Sequence, residues 1–169
     1  MILKKLYLKN FLIHDNSEIS FSEKGITVFI GENGAGKSSI LEGLTFALFG
    51  KSEKGNQANL VKWGRNQASV ILDFQKGDNI YRIERVITLK GNKASSIGTV
   101  YIKKGERFVP YFQKNITKEI PKLTGITNKI FSSSILVKQG DIEGLLKLTP
   151  KERGKVLEEI LDMTLYQLL

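Results

Sequence analysis

The chain has 169 residues, with 26 Lys plus Arg against 17 Asp plus Glu, a formal net charge of +9, and 41% hydrophobic and 25% charged residues. That length suffices for one domain burying roughly 70% of its unfolded surface, and the composition is that of a soluble globular protein. The absence of cysteine excludes disulfides and thiolate metal sites, and the single histidine, His14, argues against a zinc cluster. No apolar run reaches the roughly 18 residues of a membrane helix, and no signal-peptide pattern opens the chain. No membrane partner is therefore expected, and an intracellular location is: cytoplasm or nucleoid in a prokaryote, nucleus in a eukaryote. The basic excess suits a polyanion such as nucleic acid, and equally a nucleotide's phosphates.

Ile2 to Phe11 reads as a strand, with Leu6 and Leu8 facing one way, and Ser17 to Phe21 as its hairpin partner. Ile26 to Ile30 is apolar and β-branched, the pattern of a buried strand. Directly after it stands Gly31-Glu32-Asn33-Gly34-Ala35-Gly36-Lys37-Ser38, a complete G-x-x-x-x-G-K-S phosphate-binding loop. Its glycines permit close approaches that side chains would block, so the loop's N–H groups can form a nest for phosphates. Ile40, Leu41, Leu44, Ala47 and Leu48 then fall on one helical face, and Gly50 stands where a left-handed cap belongs. The helix N-terminus adds a partial positive charge beneath the phosphates. Asn33, Gly34, Ala35, Gly36, Lys37, Ser38 and Ser39 are the expected ATP contacts. Lys37 reaches the β- and γ-phosphates as a catalytic residue, and the Ser38 hydroxyl is offered to Mg²⁺. A chance match in a glycine-rich turn would lack the strand before and the helix after.

Lys51 to Asn59 is polar and reads as a surface loop. Ala68 to Phe74, Ile80 to Leu89 and Thr99 to Lys103 then alternate at period two, with turns at Gly77-Asp78 and Gly91-Asn92. They predict an antiparallel meander with one wet face, on whose inner pattern Arg85 is the exception. A short helix is expected over Asn115 to Ile120, ending near Pro121, and a strand over Ser134 to Lys138 leading into Gln139. Thr149, Pro150 and Glu152 open a last helix with an N-cap, a first-position proline and a capping box. No stop signal precedes Leu169, which suggests a cut inside a longer helix, with a native helical terminus as the alternative. The expected fold class is α/β: a mixed sheet around the Ile26 to Ile30 strand with the meander beside it, residues 1–149 as one lobe and 150–169 as a separate helix.

A triphosphatase also needs an apolar strand ending in an acid that holds the Mg²⁺ shell. Val70-Ile71-Leu72-Asp73 is rejected, because the segment alternates and is followed by Phe74; Asp73 reads as a solvent-facing strand residue. Ile160-Leu161-Asp162 falls on the last helix. The chain carries a triphosphate cradle without its acid, half an active site.

Lys9-Asn10-Phe11 followed by His14, Gly25-Ile26 leading into the phosphate loop, and Val137-Lys138-Gln139-Gly140-Asp141-Ile142 together resemble the start of the Rad-fifty double-strand-break repair ATPases, of the SMC and ABC-type class. The resemblance covers nearly the whole chain and implies the N-terminal lobe of an ATPase head, with the helix from Pro150 as the root of a coiled coil. It implies that a C-terminal segment of the same protein supplies the signature motif, the acidic strand and the catalytic glutamate. It further implies ATP-gated dimerisation with a second head, a partner nuclease of the Mre-eleven type, and DNA. On the same resemblance Gln139 ligates Mg²⁺ or positions the attacking water. Lys62-Trp63-Gly64-Arg65 matches a family segment near the nucleotide, which places Trp63 by the base and Arg65 or Lys62 by phosphate. A core tryptophan beside solvated charges is the alternative. Members often carry arginine two residues before the histidine; here that position is Leu12, which cannot neutralise phosphate. His14 itself reads either as a nucleotide or partner contact or as a structural loop residue. DNA is expected on Lys76, Lys90, Lys93, Lys103, Lys104 and Arg107 of the meander. Two other readings stay open, a stand-alone small P-loop kinase and an ABC transporter's nucleotide-binding subunit. The first lacks a recognisable lid and second acid, and the second usually carries an aromatic base-stacking residue ahead of the phosphate loop.

Overall fold

The structure, a computed structural model, describes residues 1–24, 27–52, 55–91 and 93–128, together with 131 and 149. In chain order these form β1 (Ile2–Phe11), β2 (His14–Ser20), α1 (Lys37–Phe49), a 3-10 turn (Gln57–Leu60), β3 (Gln67–Lys76), β4 (Asn79–Lys90), β5 (Lys93–Lys104), β6 (Arg107–Phe112) and α2 (Ile116–Thr124). The chain divides into two compact units, Met1–Ile120 and Pro121–Leu169, with α2 beginning in the first and ending in the second. In the second unit the described residues show Gly125 N–H bonded to Pro121 O at 2.8 Å and Phe131 N–H to Thr127 O at 2.9 Å.

The first unit is built on one six-stranded sheet of order β2-β1-β3-β4-β5-β6, antiparallel at every junction. Its register explains the alternation read from the sequence. Leu6, Leu72, Ile83 and Val100 stand opposite one another across β1, β3, β4 and β5, and Leu8, Val70, Arg85 and Gly98 form the next row. All but Gly98 are buried, at roughly 1.5–3 kcal/mol for each fully covered aliphatic side chain. Helix α1 lies on this face. A Cβ on Gly43 would stand 2.7 Å from Leu8 Cδ2, so a glycine lets the helix approach the strand. From Glu42 to Phe49 every residue of α1 is buried, rather than one stripe of the helix. Gly50 takes the left-handed cap at φ 64°, its N–H donating to Phe46 O at 2.8 Å.

Arg85, the exception to the inner pattern, fills a structural role at that cap. Its guanidinium donates from Nε to Ala47 O at 2.8 Å, and from Nη2 to Leu48 O and Thr117 Oγ1, each at 3.3 Å. A buried cation thus meets the last carbonyls of α1, where the helix dipole is negative. Burial lowers its pKa to about 10.

Several expectations need correction. Thr27 to Ile30 is not a strand: Val28 is 69% exposed and Ile30 94%, so the sheet over the described residues is antiparallel rather than mixed. A strand apolar on both faces needs cover over both, and none of the six described strands pairs with this segment. Phe29 alone finds an aromatic neighbour, Phe21, edge-on at 6.4 Å. Asp73 is not solvent-facing. It is 7% exposed and takes two bonds from Arg82, Nε to Oδ1 and Nη2 to Oδ2, each at 2.7 Å, while the Arg82 guanidinium lies 4.1 Å from the Phe108 ring centroid. The short helix runs on through Pro121, whose missing N–H removes one rung without ending it. The expected strand over Ser134 to Lys138, Gln139 itself, and the helix from Pro150 lie outside the described residues.

Candidate nucleotide site

The β1–β2 hairpin and the phosphate loop meet at one end of the sheet. Gly34 and Gly36 have φ of 86° and 92°, angles that side chains rarely adopt, and Gly36 passes directly into the first turn of α1 at Lys37. Left-handed residues followed by right-handed helix turn successive N–H groups inward, the geometry of an anion nest. Gly36 O accepts from Ser39 N–H at 3.0 Å and Ile40 N–H at 3.2 Å, and Ala35 N–H donates to Glu32 O at 3.2 Å. No acid stands in the first turn of α1 to compete with a phosphate. The residues therefore fit a phosphate chain. Lys37 Nζ folds back over the loop and donates to Gly31 O and Glu32 O, each at 2.7 Å. Ser38 is exposed on the same first turn. Among the described residues no three of His, Cys, Asp and Glu group as a metal site.

Beside the loop runs an open groove of about 660 Å³, lined among others by Leu12, Ile13, Ser39, Lys62, Trp63 and Arg65. It brings the second predicted segment to within one residue of the phosphate loop's end. Trp63 is 98% exposed, which disposes of the core-tryptophan alternative. Lys62 is spoken for: its ammonium donates to Ile13 O at 3.1 Å and pairs with the Asp15 carboxylate. That bond, reinforced by the charges of Lys62 and Arg65, holds the Asp15 carboxyl below its usual range. Asp15 was not foreseen, since it stands 47 residues from its partner and no local pattern joins them. Leu12 has a left-handed φ of 52° and is held by its N–H to Leu60 O at 2.8 Å, while Lys62 N–H donates to Asn10 O at 2.9 Å. Arg65 is exposed on the groove. Gln139 lies outside the described residues, so its place relative to Ser38 is not part of this geometry.

The six basic residues expected to meet DNA do not form one surface. The β4–β5 turn, with Lys90 and Lys93, lies at the phosphate-loop end, whereas the β3–β4 and β5–β6 turns, with Lys76, Lys103, Lys104 and Arg107, lie at the other. Strand β4 has 12 residues, so the two groups stand roughly 40 Å apart.

Residues 5–168 match a family described as an AAA domain. The chain is 34% identical to the DNA double-strand break repair Rad50 ATPase of Thermoplasma volcanium, over 96% of this chain and 18% of that protein. It is 35% identical to the protein of the same name from Methanococcus maripaludis, over 99% of this chain and 16% of that protein. The chain thus spans less than a fifth of the length of these relatives. Among solved structures it is similar to the recombination mediator protein RecF with ATP, at a TM-score of 0.56 and 22% identity, covering 95% of this chain and 39% of that one. That likeness supports the α/β fold.

Proposed function

We infer from one premise, that the chain belongs to the AAA domain family, that it is the ATP-binding lobe of a DNA double-strand-break repair ATPase of the Rad50 kind. The observation that carries the reading is the phosphate loop itself, with Gly36 at φ 92° turning into the N-terminus of α1 and Lys37 beside it. The loop residues from Asn33 to Ser39 hold the phosphates through backbone N–H groups and the Lys37 ammonium. Lys37 exchanges its two loop carbonyls for phosphate oxygens, gaining charge-assisted bonds. In the groove Trp63 faces the base and Arg65 supplies positive charge, while Lys62 braces the hairpin through Asp15. Ser38 and Gln139 are the residues that would hold Mg²⁺, by a hydroxyl and an amide oxygen; the ion would neutralise charge on the phosphates.

The partners follow from the same reading. The C-terminal segment of the same protein supplies the missing acid and glutamate, and its strands cover the exposed Val28 and Ile30. A second head closes over ATP, and the pair governs DNA and a nuclease of the Mre-eleven type. DNA meets the β5–β6 end in this reading, which the joint exposure of Lys103, Lys104 and Arg107 there supports. The test is phosphate release by this chain with and without the C-terminal segment. Alone it should hydrolyse ATP barely above background, and the added segment should raise turnover by roughly a hundredfold or more. Full activity from this chain alone would refute the half-site reading and restore a kinase-like enzyme.

A further inference from the structure

We propose that His14 is a positioning residue for the phosphate loop, holding the Gly36–Lys37 peptide so that the Lys37 N–H points into the anion nest. The proposal rests on the nucleotide-site reading above. The imidazole sits between the β1–β2 hairpin and the loop, with Nδ1 2.9 Å from Ser17 Oγ and Nε2 3.4 Å from Gly36 O. A carbonyl oxygen only accepts, so the bond to Gly36 O requires the proton on Nε2, and in that neutral tautomer Nδ1 accepts from the Ser17 hydroxyl. Both ring nitrogens are thereby committed to the protein, and His14 has none left for a phosphate.

The effect on the loop follows from peptide geometry. A trans peptide is planar, and its C=O and N–H point in opposite directions. Gly36 O is directed down α1 by Ser39 N–H and Ile40 N–H, with His14 Nε2–H as a third donor from the side. The Lys37 N–H is consequently aimed the other way, towards the mouth of the loop. Glycine at φ 92° has little steric resistance to rotation of this peptide, so a restraint from outside the loop has something to restrain. The fit is close: a Cβ at Gly36 would stand 2.9 Å from His14 Nε2 and 2.7 Å from Ile13 Cδ1. The hairpin turn thus reaches the nucleotide through the backbone it braces, although Leu12 offers no charge.

Two measurements test this. His14 is the chain's only histidine, so ¹⁵N imidazole signals in mildly alkaline buffer report this ring alone and should show the Nε2–H tautomer. Calorimetric ATP titrations then compare wild type, His14→Gln and His14→Leu. The glutamine amide can place an N–H near the Nε2 position and should retain most of the affinity, whereas His14→Leu should lose about three- to tenfold. An Nδ1–H tautomer, wild-type affinity in His14→Leu, or equal loss in both variants would each overturn the proposal. Failure of the wild-type chain to bind ATP would instead overturn the nucleotide-site reading, while the tautomer still decides whether His14 donates to Gly36.

Discussion

Truncating Trp63 to alanine should weaken ATP binding without weakening the fold. The side chain is 98% exposed, so its removal opens no cavity, and stability should stay within about 0.5 kcal/mol of wild type. Its value lies in what it can do when a ligand arrives. The ring stands on the rim of a groove that also contains Ser39, the residue after Ser38 of the phosphate loop. Stacking of a base on an aromatic side chain is worth about 1–3 kcal/mol by alanine substitution, roughly five- to 150-fold in affinity. Tripolyphosphate, which has no base, should bind Trp63→Ala and wild type equally. The chain has a single tryptophan, so its fluorescence should change on adding ATP and stay silent with tripolyphosphate. Calorimetry gives the affinity of the alanine variant. An unchanged ATP affinity in Trp63→Ala, or an equal loss for both ligands, would refute base stacking here and leave Trp63 as a residue awaiting a protein partner.

Gly36→Ala should abolish measurable ATP binding and lower the melting temperature, because a left-handed alanine costs about 1–2 kcal/mol and its Cβ collides with Ile13 and His14; calorimetry and thermal melts check both. Arg85→Met should destabilise the chain by roughly 1–3 kcal/mol in urea unfolding, since it leaves Ala47 O and Leu48 O without their donors; an unchanged midpoint would show that relief of the buried charge offsets the missing bonds. Charge reversal of Lys103, Lys104 and Arg107 together should weaken duplex DNA binding by the assembled head and flatten its salt dependence by about 0.9 in log–log slope for each phosphate that is no longer neutralised. The same reversal at Lys90 and Lys93, at the opposite end of the sheet, should leave DNA binding unchanged; the reverse outcome moves DNA to the phosphate-loop end.

Local chemistry was legible wherever a pattern repeats at the period of its own element. The alternation in β3 and β4 specified which residues face α1, and the register bears it out row by row from Leu6 to Val100. Gly50 announced the end of α1 because a left-handed cap needs a positive φ, and the phosphate loop announced its start. Strand β6 was missed, since Arg-Phe-Val-Pro-Tyr-Phe does not alternate cleanly and its proline reads as a breaker; at a sheet edge that proline costs no ladder bond on its free side. Long-range pairings such as Asp15 with Lys62, and Arg85 with the end of α1, left no trace, because each joins residues far apart in sequence.

The Thr27 to Ile30 segment shows why a correct pattern can yield the wrong element. Its run of apolar residues describes the environment the segment is suited to, a position covered on both faces, and the described residues cover only the Phe29 side. Exposed Val28 and Ile30 lead straight into Gly31, so whatever covers them also fixes the entrance to the phosphate loop. Lys37 meanwhile bonds Gly31 O and Glu32 O, at that same entrance. Ordering the segment as a strand would therefore act directly on the carbonyls that Lys37 must release to reach a phosphate. Docking of the proposed C-terminal segment would then be linked to nucleotide binding through one short stretch of backbone. If it loosens these Lys37 bonds it strengthens ATP binding, and by reciprocity ATP strengthens docking by the same factor. Titrating ATP in the presence of the C-terminal segment should give a tighter Kd than in its absence, with Val28→Ser and Ile30→Ser removing the gain while leaving the affinity of this chain alone unchanged. Equal affinities with and without the segment would break that link and leave the strand pattern a matter of folding only.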